Sequence, residues 1–338
     1  MGRPALVAIA AMNAITGLVA AVVLAPVAFG ADAGFYRDCA MGVGAPGCAS
    51  SLYSPLAAIV AWPLTLLSPL GAALVMSGIG ASILVAGVII ETRGRAPVDR
   101  LLVLVAAAGF APVVHELLLG QISFPLAATV FLAARRPDGY RTGIPLGIAL
   151  AIAPKPLLVP VLGWMLVRRR KALAGAVAAA AVVTGAAVLV AGTAAYGTWL
   201  STLLGLGRES VAGTAALSTH GNLSIWPLDP PRLVVALAVL AGAAWCVLRD
   251  EERGFVAAIL AGLVLSPYTG LYAGTVLLLA VRPALGFAPR ATRLLALGAN
   301  VCLAMLTALV PWAAAGVAVA AWPSGWIPRR RSPGRPEA

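Results

Sequence analysis

The chain has 338 residues, of which 61% are hydrophobic and 11% are charged, and its mean hydropathy is +0.97. This composition excludes an ordinary soluble domain and predicts a polytopic membrane protein. The net charge of +12 does not indicate a nucleic-acid partner, because the basic residues form short clusters between apolar runs, as in cytoplasmic loops of membrane proteins.

These Arg and Lys clusters set the predicted topology. All but four of the 24 basic residues lie in them. Placing every cluster in the cytoplasm predicts an all-α integral membrane protein with about 10–12 transmembrane helices and both termini inside. The predicted spans cover residues 5–29, 70–90, 101–117, 121–134, 143–154, 156–167, 172–194, 233–248, 254–268, 270–281, 294–310 and 312–326.

The first apolar run is read as a retained span rather than a signal peptide, because it is long and has no convincing cleavage site before Gly30. Two external segments follow from the topology, at residues 30–69 and 196–232. The second half of the first one is apolar but broken by Pro63 and Pro69, which favours an interfacial helix. We expect one transmembrane domain over 1–328 and a basic tail over 329–338.

A polar segment begins directly after the first predicted span, and Asp32 is its first acid. One interpretation is a helix cap or a solvated loop end. The other is a general base at the mouth of an intramembrane cavity, which takes a proton from an attacking sugar hydroxyl. Asp38 is the competing residue for this role.

Lys155 lies between Pro154 and Pro156, away from the cytoplasmic clusters. Two prolines break a helix, and broken backbone at membrane depth lines a protein or water cavity. An ionisable residue there indicates function, and an anionic phosphate or pyrophosphate head group is its natural ligand. The alternative is that the side chain snorkels to the outer interface.

Glu116 and Gln121 lie near a short external turn at Gly120. A buried glutamate at the end of a span is costly unless it is paired or faces a cavity, and His115, Arg37 and Lys155 are the possible partners. Further along, His220, Asn222 and Ser224 form a polar cluster suited to hydrogen bonds with sugar hydroxyls.

The four cysteines divide into two pairs. Cys39 and Cys48 are close together in the first external segment, where oxidising conditions favour a disulfide; two free thiols are the alternative. Cys246 and Cys302 fall within predicted spans as small buried hydrophobic residues. The chain contains no Asp-x-Asp pair, so we expect neither a metal nor a cofactor.

Several short motifs follow one another in a recognisable order. They are Asp32 with Tyr36, Tyr53-Ser54-Pro55-Leu56, Gly120-Gln121-Ile122-Ser123, Ala153-Pro154-Lys155-Pro156, Gly221-Asn222-Leu223-Ser224 and Leu265-Ser266-Pro267-Tyr268. From about residue 5 to 281 this order resembles the family 87 glycosyltransferases, the polyprenyl-phosphate-mannose-dependent α-mannosyltransferases of bacterial envelopes.

The resemblance implies a GT-C type fold in a bacterial plasma membrane, with the active site facing outward. It implies a polyprenyl-phosphate sugar donor, mannose, and a lipid-linked glycan acceptor. Asp32 would be the general base of an inverting transfer, and Lys155 would hold the donor phosphate. The expected substrate-binding residues are Tyr36, Arg37, Gln121, Lys155, His220, Asn222 and Ser224.

The chain departs from the family pattern after Ser266-Pro267, where it reads Tyr268-Thr269-Gly270-Leu271-Tyr272. This departure leaves a catalytically inactive relative as one alternative. A transporter or lipid flippase is the other, but the internal symmetry typical of transporters is missing from the sequence.

Overall fold

A computed structural model describes residues 3–42, 53–202, 230–266 and 271–280. Every regular element in these ranges is helical, which confirms the all-α prediction. The α-helices are α1 (Arg3–Ala28), α2 (Ala31–Met41), α3 (Pro55–Ala61), α4 (Pro69–Glu91), α5 (Pro97–Ala108), α6 (Ala111–Leu119), α7 (Ser123–Arg135), α8 (Tyr140–Ile152), α9 (Val159–Arg168), α10 (Arg170–Ala191), α11 (Pro230–Arg249) and α12 (Glu251–Leu265). The 3₁₀ segments are Trp62–Leu66, Pro156–Leu158 and Leu271–Val276, and residues 193–202 are also helical.

Within the described ranges, four helices are long and apolar enough to cross a membrane: α1, α4, α10 and α11. The pair α5 and α6 adds a fifth crossing if the two form one bent span. Large apolar side chains on these helices are exposed, as helices that face lipid require: Val22 is 68% exposed and Leu189 is 88% exposed. The chain is therefore a multi-pass membrane protein. The predicted spans at 294–310 and 312–326 lie outside the described residues, and the total of 10–12 stays a prediction.

Residues 101–117, predicted as one span, form two helices with a bend of 65° between α5 and α6. Pro112 at the start of α6 has no N–H to donate to the preceding turn, so the helix cannot continue straight through it. The side chain of Asn13 in α1 donates to the Ala106 carbonyl at 2.6 Å, just before the bend. The bend turns α6 towards the start of α2.

The break predicted at Pro154-Lys155-Pro156 is present between α8 and the 3₁₀ turn that leads into α9. α8, α9 and α12 share a buried core in which Leu146, Trp164, Met165 and Ile259 are almost fully enclosed. A methyl group at Gly262 in α12 would collide with the Leu157 carbonyl. This close approach holds the segment after Lys155 against α12.

The predicted external segment 30–69 is more regular than a polar loop. Residues 31–41 form α2, and the apolar part forms α3 followed by the 3₁₀ turn Trp62–Leu66. Val60, Trp62 and Leu66 are exposed on this short apolar unit. The location of α3 at the membrane interface stays a prediction, whereas its helical form is established.

Candidate functional site

Asp32 lies in the first turn of α2, where a carboxylate interacts favourably with the helix dipole. The N-cap residue is Gly30, so Asp32 is not the helix cap. The Gly30 N–H donates to the Leu118 carbonyl at 2.7 Å, which ties the start of α2 to the last turn of α6. This hydrogen bond brings Asp32 next to the turn that carries Gln121.

The turn after α6 depends on Gly120, whose φ is +68°. A Cβ at this position would lie 2.9 Å from Ala33 Cβ and 3.2 Å from Met76 Cβ, so a side chain would be both strained and crowded. The turn delivers Gln121 to the inside, where only 5% of the residue is exposed. The left-handed backbone conformation of Gly120 therefore directs the Gln121 amide towards α2.

The Gln121 side chain is the centre of a polar cluster. Its Oε1 lies 3.0 Å from Tyr36 Oη, 2.9 Å from Tyr53 Oη and 3.4 Å from Lys155 Nζ, all of which donate to it. Its Nε2 donates to Asp32 Oδ2. Because the donors converge on one oxygen, the amide can present only its NH₂ group to Asp32.

Lys155 reaches this cluster from the break after α8. Its ammonium group lies 5.6 Å from the centre of the Tyr53 ring, within the range of a cation–π interaction. The Ser54 N–H donates to the Ile152 carbonyl at 3.2 Å, and Ser54 Oγ donates to the Ala151 carbonyl. These two bonds hold Tyr53 beside the end of α8, so the ring and the ammonium stay together.

Lys155 is a cation that interacts with one acid inside the cluster and with one acid beside it. The Lys155 ammonium interacts with the carboxylates of both Asp32 and Glu116. Burial raises the pKa of Asp32 above its usual value, while the charge of Lys155 and the hydrogen bond from Gln121 oppose that rise. An acid with a raised pKa can accept a proton and release it again, as a general base must.

The structure thus brings together four of the predicted site residues: Asp32, Tyr36, Gln121 and Lys155. Asp38, the competitor of Asp32, has a side chain that is 69% exposed and pairs with Arg37 at 3.3 Å. The Arg37 guanidinium also donates to the Leu67 carbonyl at 3.0 Å, so these contacts direct it away from Gln121. A substrate-binding role for Arg37 stays a prediction.

The remaining predicted residues cannot be placed beside this cluster. His220, Asn222, Ser224 and Cys48 lie outside the described residues. Cys39 is disulfide-bonded, whereas Cys246 is a buried free thiol. The pairing of Cys39 with Cys48 remains a prediction.

The sequence assigns no role to Tyr53 in the cluster or to Glu116 beside it. In the sequence Tyr53 is only part of a motif, whereas in the structure its hydroxyl and its ring both contact the site. The sequence predicts a costly buried acid at Glu116, and of its three possible partners the structure places Lys155 within electrostatic reach. The signal for Glu116 was a lone acid at the end of an apolar run.

The cluster combines a proton acceptor with a cation that can hold an anion, at opposite ends of one side-chain amide. Comparisons with curated proteins and with solved structures found no significant match. The model of glycosyltransferase family 87 matches residues 52–268, which is more than half of the chain and includes Tyr53, Gln121 and Lys155. The chain therefore belongs to glycosyltransferase family 87 and is an all-helical, multi-pass membrane glycosyltransferase.

Proposed function

We propose that the protein transfers mannose from a polyprenyl-phosphate donor to a lipid-linked glycan of the cell envelope, with Asp32 as the general base. The observation that carries the proposal is that Asp32 and Lys155 contact the two ends of the Gln121 amide. A base for the acceptor hydroxyl and a cation for the donor phosphate therefore lie within the length of one small head group.

The proposed reaction is a single displacement at the anomeric carbon of the donor sugar. The acceptor hydroxyl attacks that carbon while its proton passes to the Asp32 carboxylate. The bond between the anomeric carbon and the phosphate oxygen breaks, and its electron pair leaves with polyprenyl phosphate. Attack from the face opposite the leaving group converts a β-linked donor into an α-linked product.

Lys155 assists the departure of the phosphate. Negative charge grows on the leaving oxygen as the bond breaks, and a fixed ammonium group in a water-poor site stabilises that charge. The Tyr53 ring and the Gln121 oxygen hold the ammonium in place before the donor arrives. Preorganisation of this kind lowers the barrier because little rearrangement is needed during the reaction.

The proposed location is the outer face of a bacterial plasma membrane. The basic clusters between the spans favour cytoplasmic loops at residues 93–100, 135–141 and 168–171. The segments that follow α1 and α8, which carry Asp32 and Lys155, then lie on the opposite side. A donor that is anchored by a polyprenyl chain needs no soluble nucleotide at that side.

The test is transfer of labelled mannose from polyprenyl-phosphate mannose in membranes that contain wild type, Asp32→Asn or Asp38→Asn. Loss of the base lowers transfer by about 10²–10⁴-fold, so we expect Asp32→Asn to lose nearly all label. Asp38→Asn is the matched control, because Asp38 lies on the same helix with an exposed carboxylate. Equal transfer by Asp32→Asn and wild type would show that Asp32 is not the base.

A second arm of this experiment tests the donor. Nucleotide-linked mannose and polyprenyl-phosphate glucose are offered to the same membranes, after depletion of endogenous lipid-linked sugars. We expect label to enter the acceptor only from polyprenyl-phosphate mannose. Transfer from the glucose donor alone would show that the sugar was assigned wrongly, and absence of transfer from every donor would indicate an inactive member of the family.

A further inference from the structure

We propose that Glu116 is a positioning residue whose carboxylate holds the turn that carries Gln121. This inference rests on the proposed function for its kinetic readout and concerns the same site. Glu116 lies in α6, one turn before Gly120, and only 1% of it is exposed. An acid enclosed this completely in a membrane helix is costly to keep, and such residues generally serve function.

Glu116 accepts hydrogen bonds from residues at the beginning and at the end of the turn. Its main-chain carbonyl accepts from the N–H groups of Gly120 at 3.1 Å and Gln121 at 3.3 Å. Its side-chain Oε1 accepts from the Ser123 N–H at 2.7 Å. Since Ser123 is the first residue of α7, the carboxylate supplies the acceptor that the start of this helix otherwise lacks.

The Glu116 carboxylate bonds to Ser123 rather than to Gln121, so it fixes Gln121 indirectly, through the turn. Residues 120–122 are held between the main chain of Glu116 on one side and its carboxylate on the other. A shift of this turn would move Gln121 Nε2 away from Asp32 and Gln121 Oε1 away from Tyr36 and Tyr53. The charge of Glu116 is not needed for this role, whereas the reach of its side chain is.

The nearby Lys155 provides the competing explanation. Lys155 interacts electrostatically with Glu116, so the acid could act only through its charge, as a counter-ion for the ammonium. The two explanations make opposite demands on a substitution. A positioning role needs an acceptor atom at the Oε1 position, and a counter-ion role needs a negative charge at any nearby position.

Two variants of the full chain separate these demands. Glu116→Gln keeps the length and an acceptor oxygen but removes the charge. Glu116→Asp keeps the charge but is one methylene too short to reach the Ser123 N–H. We expect the kcat of Glu116→Gln to stay within about twofold of wild type. We expect Glu116→Asp to lower kcat about tenfold or more with little change in the KM for the donor, because the base is misplaced.

A spectroscopic readout tests positioning independently of transfer. The detergent-purified variants are labelled with 3-fluorotyrosine, and the fluorine resonances of Tyr36 and Tyr53 are assigned with Tyr→Phe variants. Both hydroxyls donate to Gln121, so displacement of the turn shifts both resonances. We expect shifted resonances in Glu116→Asp and wild-type resonances in Glu116→Gln.

The reverse pattern, with Glu116→Gln impaired and Glu116→Asp like wild type, would overturn the positioning role in favour of the counter-ion. Wild-type tyrosine resonances in both variants would overturn it as well. If wild type transfers no mannose but the resonances respond as expected, the proposed function fails while the positioning role stands. The two proposals can therefore fail separately.

Discussion

Gln121 donates a hydrogen bond through Nε2 to the carboxylate of Asp32, which precedes it by 89 residues in the chain. The same amide accepts from Lys155, Tyr36 and Tyr53 through its oxygen. Gln121 therefore determines how the base and the cation of the site face each other. The polar segment after the first span and the proline-flanked lysine become one site through this side chain.

Replacement of the Gln121 side chain should impair catalysis more than folding. Gln121→Glu keeps the shape of the side chain but removes the donor to Asp32 and adds a second negative charge beside it. We expect kcat to fall about 10–100-fold while the thermal unfolding midpoint in detergent changes little. Glu91→Gln is the control, since Glu91 pairs with Arg135 at 3.5 Å in another part of the fold. Wild-type kcat in Gln121→Glu would contradict the central role of the amide.

The two contacts of Tyr53 can be separated by substitution. Tyr53→Phe removes the hydroxyl that donates to Gln121 but keeps the ring near Lys155, whereas Tyr53→Leu removes both. A cation–π interaction in a desolvated site is worth about 2 kcal/mol. We expect the KM for the donor to rise in Tyr53→Phe and to rise about 30-fold further in Tyr53→Leu, as measured by steady-state transfer. Equal KM values for the two variants would show that the ring does not hold the ammonium.

The pH dependence of transfer should report the charge of Lys155. Asp32 must be deprotonated to act as the base, so kcat should fall as the pH drops through the raised pKa of Asp32. The positive charge of Lys155 lowers that pKa. Removing the charge in Lys155→Met should therefore move the acidic limb of the kcat profile to higher pH. An unchanged limb, measured at saturating donor, would show that another group titrates.

Even the smallest side chain at position 120 should lower the free energy of unfolding. Gly120→Ala would place a methyl group at φ +68° and within 2.9 Å of Ala33 Cβ. We expect a loss of about 1–3 kcal/mol in the free energy of unfolding. Gly78→Ala is the matched control, because Gly78 lies inside α4 with open space around its Cβ position. In a helix that substitution adds about 0.5–1 kcal/mol, so thermal unfolding should move in opposite directions.

The predicted disulfide can be tested by digestion without reduction. Cys39 is disulfide-bonded, and a link to Cys48 would close the segment that follows α2. We expect one cross-linked peptide that contains Cys39 and Cys48 and separates after reduction. Cys246, a free thiol, should be alkylated after denaturation without reduction. Recovery of Cys48 in alkylated form before reduction would rule out the pairing.

Much of the fold can be predicted from local sequence, because transmembrane helices follow from the length and hydrophobicity of apolar runs. Among the residues that the structure describes, four apolar runs are long enough to span, and they form α1, α4, α10 and α11. α8 ends just before Pro154 and Pro156, as expected because proline cannot continue a helix. The sequence does not fix the bend between α5 and α6, since a proline inside an apolar run can either kink a helix or end it.

The sequence by itself also determined which residue types could act, since Asp32 and Lys155 are rare charges beside long apolar runs. Only the tertiary structure decided that one amide joins them, that Tyr53 lies near the lysine, and that Glu116 is enclosed behind the turn. The physical reason is distance along the chain. The contacts link residues 34 to 89 positions apart, and the packing of α2, α6 and α8 sets their geometry rather than any local pattern.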